Sequence, residues 1–179
     1  MKTFVTSDLH FGHANIMKFN PATRQYKDVS HMDQSMISEW NAVVGADDLT
    51  YILGDFAFCK VDKAIEIVRR LNGRKILIEG NHDEHLTKHQ AFRDEFDSIH
   101  IYHEINFDGN KICMFHYPIA EFNRQHRGAV HFHGHLHGNT SGLEHYRVVD
   151  VGMDAMGSVV SPIEVMLAKA LKGEIKGHH

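Results

Sequence analysis

Four times in this chain a strand-length apolar run stops at a short cluster of aspartate, histidine or asparagine. Residues 2–6 run into Ser7-Asp8-Leu9-His10, and residues 49–53 into Gly54-Asp55. Residues 75–78 run into Gly80-Asn81-His82-Asp83, and residues 130–132 into Gly134-His135-Leu136-His137. A fifth run, Cys113-Met114-Phe115, ends at His116. Layered α/β sheets gather loops at one edge, beyond the strand ends, and ligands bind there. Between the runs the period is helical. Met32, Met36, Ile37, Trp40 and Val44 share one face of a helix that Ser30 is expected to cap. Val61, Ala64, Ile65, Val68 and Leu71 share a second face, closed by Asn72-Gly73. Asp108-Gly109-Asn110 predicts a hairpin between residues 101–107 and 111–115. A late strand over 146–151 and a last helix over 162–171 follow. The pattern is that of a layered α/β domain, two sheets packed together with helices outside.

The chain's 179 residues suffice for one domain over 1–175 with a single buried core. With 42% hydrophobic and 23% charged residues it reads as a folded, soluble protein rather than a disordered one. Its first residues lack the apolar core and cleavage site of a signal peptide, and no run reaches membrane-span length. Cys59 and Cys113 stand alone in apolar surroundings, as reduced core residues of a cytoplasmic protein do. The net charge of −4, with no long basic run, argues against binding extended nucleic acid. Of 17 histidines, His178 and His179 follow Gly177 and read as a tag remnant over 177–179. The other fifteen matter, because histidine is the commonest metal ligand.

The five clusters offer carboxylates, imidazoles and one carboxamide, without thiolate. That mixture suits borderline divalent ions such as Mn, Fe, Ni or Zn. Seven or eight candidate groups exceed what one tetrahedral ion takes, which implies two ions. Asp8 and His10 lie two residues apart, as do His135 and His137, so extended backbone would turn each pair to one side. Gly54, Gly80 and Gly134 suit turns in which the backbone passes close to the site.

In this order the clusters resemble the calcineurin-like metallophosphoesterase superfamily, whose pattern is D-x-H, G-D, G-N-H-[DE], a single His, and G-H-x-H. The resemblance spans residues 8 to 137 and rests on all five motifs together. It implies a small, uncapped member with a four-layer α/β/β/α sandwich of two packed mixed β-sheets. It also implies that Asp8, His10 and His137 hold one metal, that Asn81, His116 and His135 hold the other, and that Asp55 bridges them. Two divalent transition-metal ions, manganese first, follow from it. His82 would face the scissile phosphate as general acid or oxygen donor, with Asp83 beside it in the catalytic group. The implied activity is phosphodiester hydrolysis by a metal-bridging hydroxide, on a nucleotide or another small phosphodiester. The alternatives are a phosphomonoesterase or nucleotidase, and a non-catalytic scaffold of the same fold. The retained ligand set and His82 favour the enzyme.

Two departures stand out. Many relatives continue the second motif as G-D-x-x-D, with the extra Asp orienting the catalytic histidine; this chain has Phe58 there. The fourth motif is Phe115-His116 rather than Gly-His. His13 and Arg24 are candidate substrate contacts, the latter as a bidentate phosphate ligand. His133 is a candidate support for the ligand histidines. Arg124 and Arg127 read as solvated surface residues, a place on the pocket rim being the alternative.

Overall fold

A computed structural model describes residues 1–177; the proposed tag histidines lie outside them. Strand β1 (Thr3–Thr6) leads through α1 (Ile16–Phe19) and α2 (Val29–Val43) to β2 (Leu49–Ile52). Helix α3 (Val61–Arg70), β3 (Arg74–Ile78), α4 (Glu84–Thr87), α5 (Gln90–Arg93) and β4 (Ser98–His100) complete the first half. The second half holds β5 (Tyr102–Phe107), β6 (Asn110–Phe115), β7 (Val130–His133) and β8 (Val148–Asp150). Then come α6 (Met153–Met156), β9 (Ser161–Pro162) and α7 (Ile163–Ala170).

Two mixed sheets result. One runs β4-β3-β2-β1-β9, parallel except for β9; the other runs β5-β6-β7-β8, parallel except for the β5–β6 hairpin. The first sheet is apolar on both faces, as buried parallel strands are. Phe4, Ile52 and Leu77 point to α2 and α3, while Val5, Tyr51, Leu53 and Ile78 point to the second sheet. Ile112, Met114, Val130, Phe132 and Val149 meet them there, and α7 seals the seam with Ile163, Met166 and Leu167. The outer face of the second sheet carries no long helix among the described residues. The segment 117–129 covers it instead: the Phe122 ring lies 5.3 Å from His131, and Asn123 O accepts from Cys113 Sγ at 3.6 Å. No helix among the described residues is long and apolar enough to cross a membrane.

Local signals fared unevenly. The α2 stripe is buried as its spacing requires, with Trp40 fully enclosed and its Nε1 donating to Asn72 O at 3.1 Å. The helix starts earlier than Ser30 suggested: Asp28 is the cap, its carboxylate accepting from His31 N at 2.8 Å. Asn72-Gly73 is the turn into β3 rather than the helix end. Gly73 has φ +79°, and the carbonyls of Leu71 and Gly73 accept from buried Lys75 Nζ. The hairpin turns at Asp108 and Gly109, both at positive φ, as a type I′ turn demands.

The consequence for the site is positional. β1, β2 and β3 are parallel, and so are β6, β7 and β8, so six strand C-termini can open on one edge. Backbone bonds tie those ends together: Asp8 N to Gly54 O at 3.0 Å, His10 N to Asp55 O at 2.9 Å, and Gly134 N to His116 O at 2.9 Å.

Candidate metal centre

The left-handed backbone gathers the polar groups. Asp8, His10, Asp55, His135 and His137 all have positive φ, between 51° and 73°. This overturns the expectation that the two D-x-H and H-x-H pairs converge through extended backbone. These left-handed residues follow the ends of β1, β2 and β7. Non-glycine residues there cost free energy, and such strain clusters at functional sites. The glycines act as expected, by two routes. Gly54 needs its φ of +92°, and a Cβ there would also stand 2.6 Å from Gly80 Cα. Gly80 and Gly134 are needed for close approach alone, since a Cβ would overlap Asp55 Oδ1 and Ser7 Oγ respectively.

Asp8, His10 and His137 form one group able to hold an ion, and Asp8, Asp55 and His116 form another. Asp8 therefore stands in both. His10 Nε2 is 3.5 Å from Asp55 Oδ2, His116 Nε2 is 3.6 Å from Asp55 Oδ1, and His137 Nε2 is 3.9 Å from Asp8 Oδ1. An ion about 2.0–2.2 Å from each ligand atom fits between such pairs. His116 Nδ1 lies 2.7 Å from Leu53 O and donates to it, which leaves the Nε2 lone pair facing Asn81 Oδ1 at 3.0 Å. Two acceptors in that relation call for a cation. The His135 ring lies 5.2 Å from His116, beside this second group, and its backbone N donates to the Asp8 carboxylate.

The electrostatics agree. Both ring nitrogens of His10 are buried without a hydrogen-bond partner, an expensive state for a polar group that a metal bond would relieve. Burial, reinforced by His137 and Arg24, pushes its pKa down to about 2, which keeps the imidazole in its neutral, ligating form. Burial raises Asp8 to about 7, and the neighbouring Asp55 and Asp150 carboxylates add to the rise while His137 opposes it. Asp8 and Asp55, two carboxylates in one buried corner, need positive charge.

Asp83 and Arg24 are corrected by the structure. Asp83 is fully buried, and its carboxylate accepts from Asp55 N at 2.8 Å, Phe56 N at 2.9 Å and Gly80 N at 2.8 Å. It pins the second and third motifs to each other, its two oxygens taken up by these three backbone N–H groups. Arg24 is only 1% exposed, so it meets no substrate. Its Nε and Nη2 pair with the two oxygens of Asp154, each at 2.8 Å, and Nη1 donates to Leu9 O at 3.0 Å. Nη2 also reaches Asp8 O.

Asp154 is the residue the sequence reading missed. Its Oδ2 lies 2.8 Å from His137 Nδ1 and 3.1 Å from Asn20 Nδ2, and its Oδ1 accepts from Thr23 Oγ1 at 2.5 Å. A carboxylate on Nδ1 fixes the tautomer and leaves Nε2 free to face the Asp8–His10 group. The signal was present: Asp150-Val151-Gly152-Met153-Asp154 is another acidic cluster after a strand end.

His82 is exposed at the edge of the group, its ring 5.9 Å from that of His10, and its backbone N donates to Asp55 Oδ1 at 3.0 Å. Phe58 occupies the place of the missing Asp, its ring edge-on to His82 at 5.3 Å and 76°. His13 is half-buried, 5.4 Å from His10. His133 is buried, with Nδ1 donating to Gly134 O at 2.8 Å, so it steadies the turn that carries His135. Arg124 and Arg127 stand with residues 106–111 at the start of β6, the far end of that strand from His116.

His131 supplies a pH test outside the ligand set. Its Nδ1 lies 3.1 Å from Cys113 O, and its Nε2 lies 3.3 Å from Ile119 N and 3.2 Å from Tyr117 O. Burial, with His133 nearby, pushes its pKa down to about 4. Below about pH 6.5 the unfolded chain takes up a proton that the folded chain refuses. The stabilisation is complete above that pH and is lost as pH falls toward 4. Chemical denaturation at pH 7 and at pH 4.5 should show His131→Asn losing less stability on acidification than wild type, by on the order of 2–3 kcal/mol.

No family model matches the chain. The uncharacterised protein MJ1445 of Methanocaldococcus jannaschii is 34% identical over 140 residues, 77% of this chain and 70% of that one. The chain belongs to the MJ1445 family. The gene 66 protein of Mycobacterium phage L5 is 29% identical over 195 residues, 91% of each chain. Among solved structures, the protein of unknown function AQ665 from Aquifex aeolicus superposes on this MJ1445 relative with a TM-score of 0.66 at 27% identity, over 86% of this chain and 90% of that one. The E. coli phosphoesterase YfcE aligns at 16% identity and a TM-score of 0.42, over 90% and 82%. The MJ1445 relative shares with AQ665 a fold of two mixed sheets, and its five polar motifs stand at the strand ends of those sheets.

Proposed function

We propose that this protein is a phosphoesterase with a dinuclear centre, and that small phosphodiesters are its substrates. The observation that carries the reading is His10, whose two orphaned ring nitrogens lie inside a corner shared by Asp8, Asp55 and His137. Asp8, His10 and His137 would hold one ion, Asn81, His116 and His135 the other, with Asp55 between them. The presence of Asp8 in both candidate groups suits a second bridging carboxylate. A donor set of nitrogen and oxygen without sulfur fits Mn, with Fe, Ni or Zn as alternatives. The ions would polarise phosphoryl oxygens and lower the pKa of water.

The chain's own residues supply the rest. Asp154 and Arg24 hold His137 in one tautomer and one orientation. Asp83 keeps the Asp55 and Asn81 loops in register. His82, exposed beside His10, would donate a ring N–H proton to the departing oxygen.

Hydrolysis of a chromogenic phosphodiester by metal-stripped protein, with and without Mn²⁺, tests the reading. Turnover is expected only with added metal. Turnover of monoesters alone would make it a monoesterase, and none with any divalent ion on folded protein would leave a scaffold. His82→Ala is expected to keep its Mn²⁺ affinity by calorimetry while kcat falls about 10²–10⁴-fold. Undiminished kcat would remove His82 from the proton transfer.

A further inference from the structure

We infer that the open ring surface of Phe58, with His13 and Phe19 beside it, is a stacking platform for a nucleobase, so that the ester hydrolysed is a nucleotide derivative. The inference rests on the phosphoesterase reading and names its substrate class. Of the chain's eleven phenylalanines only Phe19 and Phe58 are exposed, at 69% and 46%. Both lie against His13: Phe58 stacks on it at 4.5 Å and 25°, and Phe19 meets it edge-on at 6.2 Å and 68°. The same Phe58 ring touches His82 at 5.3 Å, and His13 lies 5.4 Å from His10. The apolar surface is therefore continuous with the candidate metal centre on the side of the proposed proton donor. A group attached to the departing oxygen would pass over it.

Ring faces discriminate. An alkyl or sugar group meets an aromatic wall only with its C–H bonds, whereas every base lays a whole π-face on it, and base–aromatic stacks contribute substantially to affinity. The imidazole of His13, stacked at 4.5 Å, backs one face of the Phe58 ring and leaves the other for a base. Its Nδ1 is buried without a partner, so the imidazole is a fixed part of that wall rather than a free surface side chain.

A simpler role for Phe58, as a prop for His82 alone, makes a different prediction. A prop lowers kcat for every ester alike and leaves ligand affinities unchanged. A platform separates ligands that carry a base from those that do not.

The test is calorimetry of the Mn²⁺-loaded protein with adenosine 5′-monophosphate, ribose 5-phosphate and phenyl phosphate. Wild type is expected to bind the nucleotide about tenfold more tightly than ribose 5-phosphate. Phe58→Ala should abolish the difference by weakening the nucleotide only, and Phe58→Leu should retain part of it. Phe58 is half-exposed, and an unchanged thermal midpoint confirms that each variant is folded. Equal affinities in wild type, or a preference that survives Phe58→Ala, overturn the inference. Phenyl phosphate binding as tightly as the nucleotide overturns the nucleobase assignment. Diester hydrolysis by the same wild-type preparation separates this failure from that of the phosphoesterase reading: an active enzyme without the preference fails only here, and a protein that hydrolyses no ester fails both.

Discussion

Arg24→Ala is expected to lower the thermal midpoint by on the order of 10 °C and to weaken the ion held through His137. The guanidinium is buried, and it pairs with both oxygens of Asp154 while also donating to the carbonyl oxygens of Asp8 and Leu9. Removing it takes from a buried carboxylate the arginine that holds both its oxygens, and breaking such a buried pair costs about 3–5 kcal/mol, or roughly 2–4 °C per kcal/mol in a chain of this size. Arg24→Lys should rescue little, because a lysine cannot span two carboxylate oxygens and two carbonyls. Differential scanning calorimetry with and without Mn²⁺ reads the effect. Were Arg24 a substrate contact, as its sequence context first suggests, the variant would raise KM with an unchanged midpoint.

Asp55→Asn is expected to abolish turnover and to cut Mn²⁺ affinity by more than the roughly 10–100-fold that losing an outer-shell hydrogen bond costs. The substitution keeps the side chain's shape, and an amide oxygen can still accept from His82 N. It removes the charge that lies 3.5 Å from His10 Nε2 and 3.6 Å from His116 Nε2. A residue shared between two ions should lower the affinity of both. Calorimetric titration of metal-stripped protein counts them. Wild-type stoichiometry and affinity in Asp55→Asn would show that Asp55 bridges nothing.

The ligand types were legible because metal chemistry demands particular side chains, and a strand end demands that they follow an apolar run. Asp8, His10, Asp55, His116 and His137 could thus be picked out one by one. The way they converge was not legible. Left-handed backbone at Asp8 and His10 is imposed by tertiary bonds such as His10 N to Asp55 O, and no local propensity announces it. Arg24 shows the same limit. Arginine in a polar loop is ordinarily solvated, and only the arrival of Asp154 from 130 residues away makes its burial tolerable. Asp83 was legible as a motif member but not as a triple acceptor of backbone N–H groups. The Ser30 cap failed by two residues for a smaller reason, since Asp28 offers a carboxylate at the same helix end and wins. Both sheets could be expected, because apolar runs and a hairpin turn mark most of their strands. The two-residue β9 is too short to carry a pattern.

The proposed dinuclear centre is tested most directly by anomalous diffraction from crystals grown with Mn²⁺. The account predicts two peaks about 3.5–4 Å apart on either side of the Asp55 carboxylate, one reached by His10 and His137 and the other by His116, Asn81 and His135. No peak at that corner, or a single ion that leaves His10 without a bond, would contradict it.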